Sequence, residues 1–358
     1  MNFLIYVVAL ACIGATVIAL SRHEAWWVRA CDFPRVQIVV VTLVVAVLLL
    51  MKGDWDRGVD QLLLVALIAA VAYQMAMILP YTPLWRAELH NSSTPASERS
   101  LRLLVVNVLM TNRRTEQLFA LIREHGPDVV LAVETDAWWC ARFEELSPLY
   151  PHRLVHALEN TYGMLLYSKL ELLEPEIRFL LKPDIPSIRT GVRLRSGEPV
   201  RLYCLHPEPP SPSEADSSLP RDVELVLVGR EVTATDGPTI VAGDLNDVAW
   251  SHTSRLFRRI SRLLDPRIGR GMFNTFHAEH WPVRWPLDHV FVSEEFALHA
   301  IRRLPAFGSD HFPIMIDLEH RPAVADLHEP PQADGEDHAE ADDKLERVGI
   351  DPARAGVA

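Results

Sequence analysis

Cysteine is scarce. The 358-residue chain has four, Cys12, Cys31, Cys140 and Cys204, with no CxxC pair and no Cys/His spacing of the kind that holds zinc. A disulfide framework and a structural zinc site are therefore not expected. Cys140 and Cys204 sit in apolar or aromatic surroundings that suit buried thiols. Positive charge is also short: the formal net charge is −12. No basic groove interleaved with aromatics occurs, so the usual signature of strong non-specific DNA binding is missing. The one basic group, Arg255, Arg258, Arg259 and Arg262, falls on a single helix face and reads as a solvated face. The start of the chain lacks the basic segment of a signal peptide, and Ser21-Arg22-His23 is a poor cleavage site. The early apolar runs hold almost no polar residues, which argues against a transport pathway.

What the chain does have is hydrophobic length. Hydrophobic residues make up 49% of it, unevenly spread. Three apolar runs, Phe3 to Leu20, Val36 to Met51 and Leu62 to Leu79, fill most of the first eighty positions. A spanning helix needs about 20 residues with a lower limit near 17. The first and third runs reach that limit, and the second gains length from its ends. Trp26, Trp27, Trp55, Tyr81 and Trp85 flank the runs as interfacial anchors would. Residues 1–80 are thus expected to be a transmembrane region of about three helices, in a multi-pass protein of the bacterial inner-membrane kind. Arg22, Arg29 and Arg35, with Arg86, Arg99 and Arg102, outnumber Lys52 and Arg57 on the other side. That count leans by a small margin toward a cytoplasmic C-terminal domain, and the opposite side stays open. Residues 81–100, with Pro83, Pro95 and Asn91-Ser92-Ser93-Thr94, read as a flexible linker. Residues 321–358, rich in Pro, Ala, Asp and Glu, read as a disordered acidic tail.

Residues 101–320 read as one α/β domain. Strand 103–106, a helix over 115–125 capped by Thr115, and strand 129–133 make a βαβ start, with Gly126-Pro127-Asp128 stopping the helix. Strands follow around 163–167, 190–194, 200–205, 239–242, 288–292 and 314–318, with helices over 221–233 and 253–264.

The strand ends carry the chemistry. Thr239-Ile240-Val241-Ala242 runs into Gly243-Asp244-Leu245-Asn246, where a carboxylate and a carboxamide project together. Such a pair can orient a water and donate to a phosphoryl oxygen, although an Asx turn alone explains the fragment equally well. Five other runs end similarly, at Asn107, at Glu134, at His206 before Pro207, at Asp288 within Leu287-Asp288-His289-Val290-Phe291-Val292, and at Asp310-His311 after Ser309.

In this order the six segments resemble the endonuclease/exonuclease/phosphatase superfamily, over roughly residues 100–320. The resemblance implies an α+β fold, a two-sheet β-sandwich flanked by helices in the four-layer, deoxyribonuclease-like manner. It implies a metal-dependent phosphoric ester hydrolase of nuclease, phosphodiesterase or phosphatase type. Glu134 would be the main Mg2+ ligand, with Mn2+ as the alternative ion; Asn107 would sit next to it, contacting the metal or a phosphate oxygen, and Asp310 would lie near the metal. Oxygen donors without clustered thiolates suit such hard ions. His311, paired with Asp288, would contact the scissile phosphate or act as general base, a role for which Asp244 competes. Asn246 and His206 would stabilise the transferring group. Tyr162, Thr275 and Arg221 would lie near the pocket, and His289 points away by strand alternation. The substrate would be a phosphodiester or phosphomonoester, in nucleic acid or a phospholipid headgroup, with the membrane reached through the N-terminal helices and no obligate protein partner. The competing class is an inactive, membrane-anchored binding module of the same fold. It would lack pocket residues, and none of the six segments has lost its polar residue.

Overall fold

Apolar side chains on every face make the N-terminal helices long. The computed structural model describes residues 2–93 and 96–355. It begins with α1 (Asn2–Leu20), a single turn α2 (Trp26–Arg29), α3 (Arg35–Lys52) and α4 (Gly58–Ile78). Three stretches are long and apolar enough to cross a membrane: Phe3–Leu20, Arg35–Lys52 and Gly58–Tyr81, with mean hydropathy 2.6, 2.2 and 2.5. Ile5, Ala9, Val45, Leu49, Leu63 and Leu67 pack between the helices, while Phe3, Leu10, Val40, Val44, Leu62 and Ile68 point outward. The few buried polar groups satisfy one another. Arg35 donates to Gln74 at 2.7 Å, Gln74 donates to Thr16 at 3.0 Å, and Arg35 pairs with Asp32 at 2.5 Å.

The second part carries short, largely apolar runs, so its central strands are buried on both faces and build two sheets with an apolar seam. It comprises β1 (Ser100–Asn107), α5 (Thr115–His125), β2 (Val129–Val133), α6 (Ala137–Phe143), β3 (His152–His156), β4 (Met164–Ser168), β5 (Leu172–Arg178) and β6 (Ser187–Arg193). Then come β7 (Pro199–Leu205), α7 (Leu219–Ala234), β8 (Thr239–Asp244), α8 (His252–Ser261), β9 (Asp288–Val292), β10 (Phe296–Arg303), β11 (Ile314–His320) and α9 (Gly335–Arg347). One sheet has the order β10-β11-β1-β2-β4-β3 and the other β5-β6-β7-β8-β9. Val105, Leu131 and Leu166 of the first sheet meet Ile188, Leu202 and Ile240 of the second in the shared core. Outside, α5 and α6 cover one sheet through Phe119, Ile122, Trp139 and Phe143. Helices α7 and α8 cover the other through Val228, Val232 and Phe257. The result is the two-sheet sandwich flanked by helices that the sequence implied. Within each sheet one pair is parallel, β1 with β2 and β7 with β8. Their C-terminal ends bring Asn107, Glu134, His206 and Asp244 to one rim.

Three expectations need correction. Thr115 does not cap α5; it is the first helical residue, and Arg114 at the cap makes no side-chain bond. The linker expected over 81–100 is not loose where it is described. Tyr81 donates to the Ala249 carbonyl at 2.7 Å, Glu88 accepts from the Asp265 amide at 2.7 Å, and Ser92 donates its amide to Leu298 at 2.8 Å. Leu89 is buried in the sandwich core. Thr94 and Pro95 of that linker, like the last three residues of the tail, lie outside the described residues. The tail is not an unstructured acidic stretch over 335–347. Asp334 and Asp337 form a capping box at the start of α9, and Ala341 and Leu345 bury themselves against Val223, Val226, Leu256 and Ile260. Its acids have cations elsewhere in the chain: Asp337 holds Arg259 through two bonds of 2.6 and 2.7 Å, and Asp342 pairs with Arg230. Arg258 pairs with Glu88. Two of the four residues of the basic helix face, Arg258 and Arg259, are therefore held in salt bridges.

Candidate active site

Asn107, Glu134, His206 and Asp244 come at or just past the ends of β1, β2, β7 and β8, whereas Asp288, expected at the end of a run, opens β9, and Asp310 and His311 lie in the turn before β11. At the end of β8 the chain turns through Gly243, whose φ is +148°, and a Cβ there would stand 1.9 Å from the Leu205 carbonyl of β7. Only glycine allows that close approach, and it sets Asp244 beside the ends of β1 and β9. Glu134 and Asn246 take left-handed φ values of 59° and 52° as the chain leaves β2 and β8.

A continuous chain of contacts joins the two sheets. The Asn107 amide nitrogen donates to Glu134 at 2.7 Å and to Asp244 at 3.0 Å. Asp244 Oδ2 lies 3.5 Å from His311 Nε2, and His311 Nδ1 bonds Asp288 Oδ2 at 2.7 Å. Ser309 holds this arrangement together: its hydroxyl donates to the Asn107 carbonyl at 2.8 Å and accepts from the His311 amide at 3.0 Å. Thr275 accepts from the Asp288 amide at 3.1 Å. Asp244 Oδ1 accepts from the Asn246 amide at 3.0 Å, and the Asn246 side chain donates to the Pro207 carbonyl at 3.0 Å, which leaves it a second amide hydrogen. His206 is buried with Nδ1 unpartnered, and its ring lies 5.4 Å from that of Tyr162. Asp310 sits half-buried beside Ser309, and its charge bears on both Glu134 and His311.

Charge in this pocket is unbalanced. Burial raises the Glu134 carboxyl to about 7, and the nearby carboxylates Asp244 and Asp310 push the same way. Burial also raises Asp244. Burial works against a charge on His311, but Asp288 and Asp244 on either side outweigh it and bring the imidazole up to about 10. His206 is held below its ordinary value by burial, so it stays neutral. Four carboxylates thus face one imidazolium.

That surplus, with the donor set, fits a hard divalent cation. Carboxylate oxygens of Asp244 and Asp288 lie within 4.8 Å of each other beside His311, and Asp288 Oδ1 is buried without a partner. Glu134 and Asp310 offer further oxygens at the same rim. Asn107 lies beside Glu134. Its oxygen accepts from the Leu109 amide at 2.9 Å, and it turns its amide nitrogen to the carboxylates. As placed, it bridges Glu134 and Asp244 and presents no ligand oxygen to a metal.

All eight expected site residues therefore gather at one rim. Of the further three, Tyr162 stacks near His206 and Thr275 supports Asp288. Arg221 stands behind the site, donating to the Asn246 carbonyl at 2.8 Å and pairing with Asp222 and Asp247. His289 is absorbed structurally, with Arg267 at 2.7 Å on one ring nitrogen and the Asp247 carbonyl at 2.9 Å on the other. Sequence reasoning gave Ser309 no role. A serine two residues before a strand-end histidine, placed to bond that histidine's own amide, was the available signal.

Residues 104–311 match the model of the Endonuclease/Exonuclease/phosphatase family. Among solved structures, the chain is similar to D. rerio TDP2 humanised by 14 mutations, at 17% identity and TM-score 0.52, over 62% of this chain and all of that one. An endonuclease/exonuclease/phosphatase from Beutenbergia cavernae matches at 18% identity and TM-score 0.50, over 62% of this chain and 72% of that one. The human Nocturnin catalytic domain, solved with a bound sulfate anion, matches at 15% identity and TM-score 0.50, over 62% and 94%. At these identities the likeness speaks for the fold. No curated protein matches the chain.

Proposed function

Because the chain belongs to the endonuclease/exonuclease/phosphatase family, whose members are divalent-metal-dependent hydrolases of phosphoesters, we propose that it is a membrane-anchored, Mg2+-dependent phosphoric ester hydrolase. The observation that carries this reading is the unbroken run Asp288, His311, Asp244, Asn107, Glu134 across the mouths of both sheets. Multi-pass anchoring rests on the three apolar helices.

The chain's own residues divide the work. Asp288 orients the His311 ring by accepting from Nδ1, which aims Nε2 into the pocket. Held as a cation by its two carboxylates, His311 binds a phosphoryl oxygen and stabilises the charge that builds there. Asp244, made more basic by burial, orients a water and takes its proton. The second amide hydrogen of Asn246 and neutral His206 complete the cradle for the transferring group. Glu134 and Asp310 would hold the ion, Mg2+ or Mn2+, which when bound polarises the phosphoryl group and offsets charge on the leaving oxygen.

The test is turnover of bis-p-nitrophenyl phosphate by the full chain in detergent with Mg2+. Wild type is expected to release p-nitrophenolate, and His311→Ala and Asp244→Ala to lose it. Undiminished turnover in either variant removes this mechanism. No turnover in wild type, with every pocket residue present, favours the binding-module reading.

A further inference from the structure

The rim that holds the site is also the rim bonded to the N-terminal helices. The segment between α1 and α3 reaches the loop after β7 twice: Ser218 donates its amide to Glu24 at 2.8 Å, and Trp26 donates to Asp216 at 2.9 Å. It reaches the loop after β8 through Trp250, whose indole donates to the Asp32 carbonyl at 2.8 Å. The first turn of α3 reaches the segment before β9 through Gln37, which donates to the Pro282 carbonyl at 2.6 Å. Val248, Ala249 and Leu287 of the rim share one apolar cluster with Val39 of α3 and Ile78 of α4.

The Pro282 contact belongs to a hairpin rooted in the site. Phe276 is bridged to both Trp285 and His311, and its ring lies 5.1 Å from the His311 imidazole. The Ala278 amide donates to the Asp310 carbonyl at 2.6 Å. From there the hairpin runs out to Trp281, 77% exposed, and Val283, 39% exposed. Gln37 stands one turn inside α3, and the next turn presents exposed Val40 and Val41. The hairpin tip is therefore level with the place where α3 becomes apolar on its outer face. Other exposed apolar side chains lie on segments at this end: Trp27 of α2, and Trp85 and Leu327 around a cavity of about 430 Å³ that also touches Ala76 and Met77 of α4. Arg284 and Arg303 flank Phe312, next to His311, at 4.9 and 4.3 Å from its ring. Among the described residues neither guanidinium is paired with a carboxylate.

From this placement we infer that the active-site rim faces the bilayer, with the 276–285 hairpin at headgroup depth, and that the substrate is a phosphoester carried by a membrane lipid. The inference rests on the hydrolase reading above. Tryptophans at one level are where an interfacial belt sits, and a lipid's phosphate lies at that same level. Arg284 and Arg303 supply unneutralised charge where an anionic headgroup arrives. A nucleic-acid duplex would have to enter between the rim and the helices bonded to it. In the reaction, water's oxygen bonds to phosphorus, the bond from phosphorus to one alcohol oxygen breaks, and the leaving oxygen takes a proton. No redox partner is needed.

The full chain is reconstituted with Mg2+ into vesicles of phosphatidylethanolamine, phosphatidylglycerol and cardiolipin, with sphingomyelin or phosphatidylinositol phosphates added in turn. Products are read by mass spectrometry against three soluble arms: short-chain monomeric versions of the same lipids, single-stranded DNA and bis-p-nitrophenyl phosphate. A bilayer lipid is expected to turn over about tenfold or more faster than its short-chain version. Trp281→Ala is expected to lower vesicle turnover about tenfold, roughly one interfacial anchor's worth, and to leave the soluble diester unchanged. Quenching of tryptophan fluorescence by bromine-labelled acyl chains should drop in Trp281→Phe. Preference for DNA, or equal rates on bilayer and monomeric lipid with no Trp281-dependent quenching, overturns this inference alone. Failure to cleave even the soluble diester overturns the hydrolase reading beneath it.

Discussion

Two clusters of buried charge lie on either side of the loop at Asn246 and Asp247, and they are built on opposite plans. Behind the loop, Arg221 pairs with Asp222 and Asp247, while Lys344 of α9 bonds both Asp222 at 3.1 Å and Glu24 at 2.9 Å. Arg347 bonds Glu24 again at 2.6 Å. Here each charge meets its opposite. Burial would raise Asp222, but Lys344 and Arg221 hold it below the ordinary carboxylate range; burial would lower Lys344, but Asp222 and Glu24 hold it above its own. In front of the loop, Glu134, Asp244, Asp288 and Asp310 face the single cation of His311, and Glu134 and Asp244 are raised. The rear cluster is complete as it stands and ties α9 and the α1–α3 segment to the sandwich. The front cluster is completed by something bound. Balanced burial of charge serves architecture, and an imbalance at a rim marks chemistry.

The largest effect should come from the front. His311→Ala or Asp244→Ala is expected to lower phosphodiester turnover about 10³-fold or more, and Asp244→Ala, which removes one of the crowded carboxylates, should do so with a melting temperature close to wild type. A loss of folding in step with the loss of activity would erase the distinction between the clusters. Next comes the rear. Lys344→Met leaves Asp222 and Glu24 short of a cation and should cost about 3 kcal/mol, read as a lower melting temperature, with turnover per folded molecule kept. A variant as stable as wild type would show that the cluster holds nothing.

The smallest effect tests a buried carboxylate that belongs to neither cluster. Glu224 of α7 has an unpartnered Oε1, and burial raises it to about 8 although Arg178 pulls the other way. Its folded value lies above the unfolded one, so the native state keeps a proton that the unfolded chain releases. Stability is then fullest below the unfolded value of 4.5 and declines as pH climbs through the window up to about 8. Glu224→Gln should flatten that decline, seen as a smaller difference in melting temperature between about pH 5 and about pH 9. An unchanged difference would mean that the group is not buried in its charged form.

How much of this was legible in the sequence depended on where a strand sits in its sheet. Central strands such as β1, β2, β7 and β8 are covered on both faces, so they read as unbroken apolar runs. The strands that escaped notice, β3, β5 and β10, are all at sheet edges. Their solvent-side residues break the pattern, as Glu174, Pro175 and Glu176 do in β5. Helix α9 was hidden for a different reason. Its acids look like a self-repelling tail until Arg230 and Arg259, far back in the chain, are brought alongside. The site was legible because its residues lie at strand termini, at or just past the ends of β1, β2, β7 and β8, at the start of β9 and in the turn before β11, and six such places recur in order. The inward amide of Asn107 and the part played by Ser309 depend on how β1 and the 309–311 turn meet in space, which spacing along the chain does not carry.

The central claim is that the charge imbalance at the rim is made good by a divalent ion that serves phosphoester hydrolysis. Titrating Mg2+ into the metal-stripped full chain, while following bis-p-nitrophenyl phosphate turnover in wild type and Glu134→Gln, tests it most directly. Saturable activation of the wild type, with the variant needing far more ion or showing no activation, is the expected result. Equal turnover in both proteins without added metal would contradict the account.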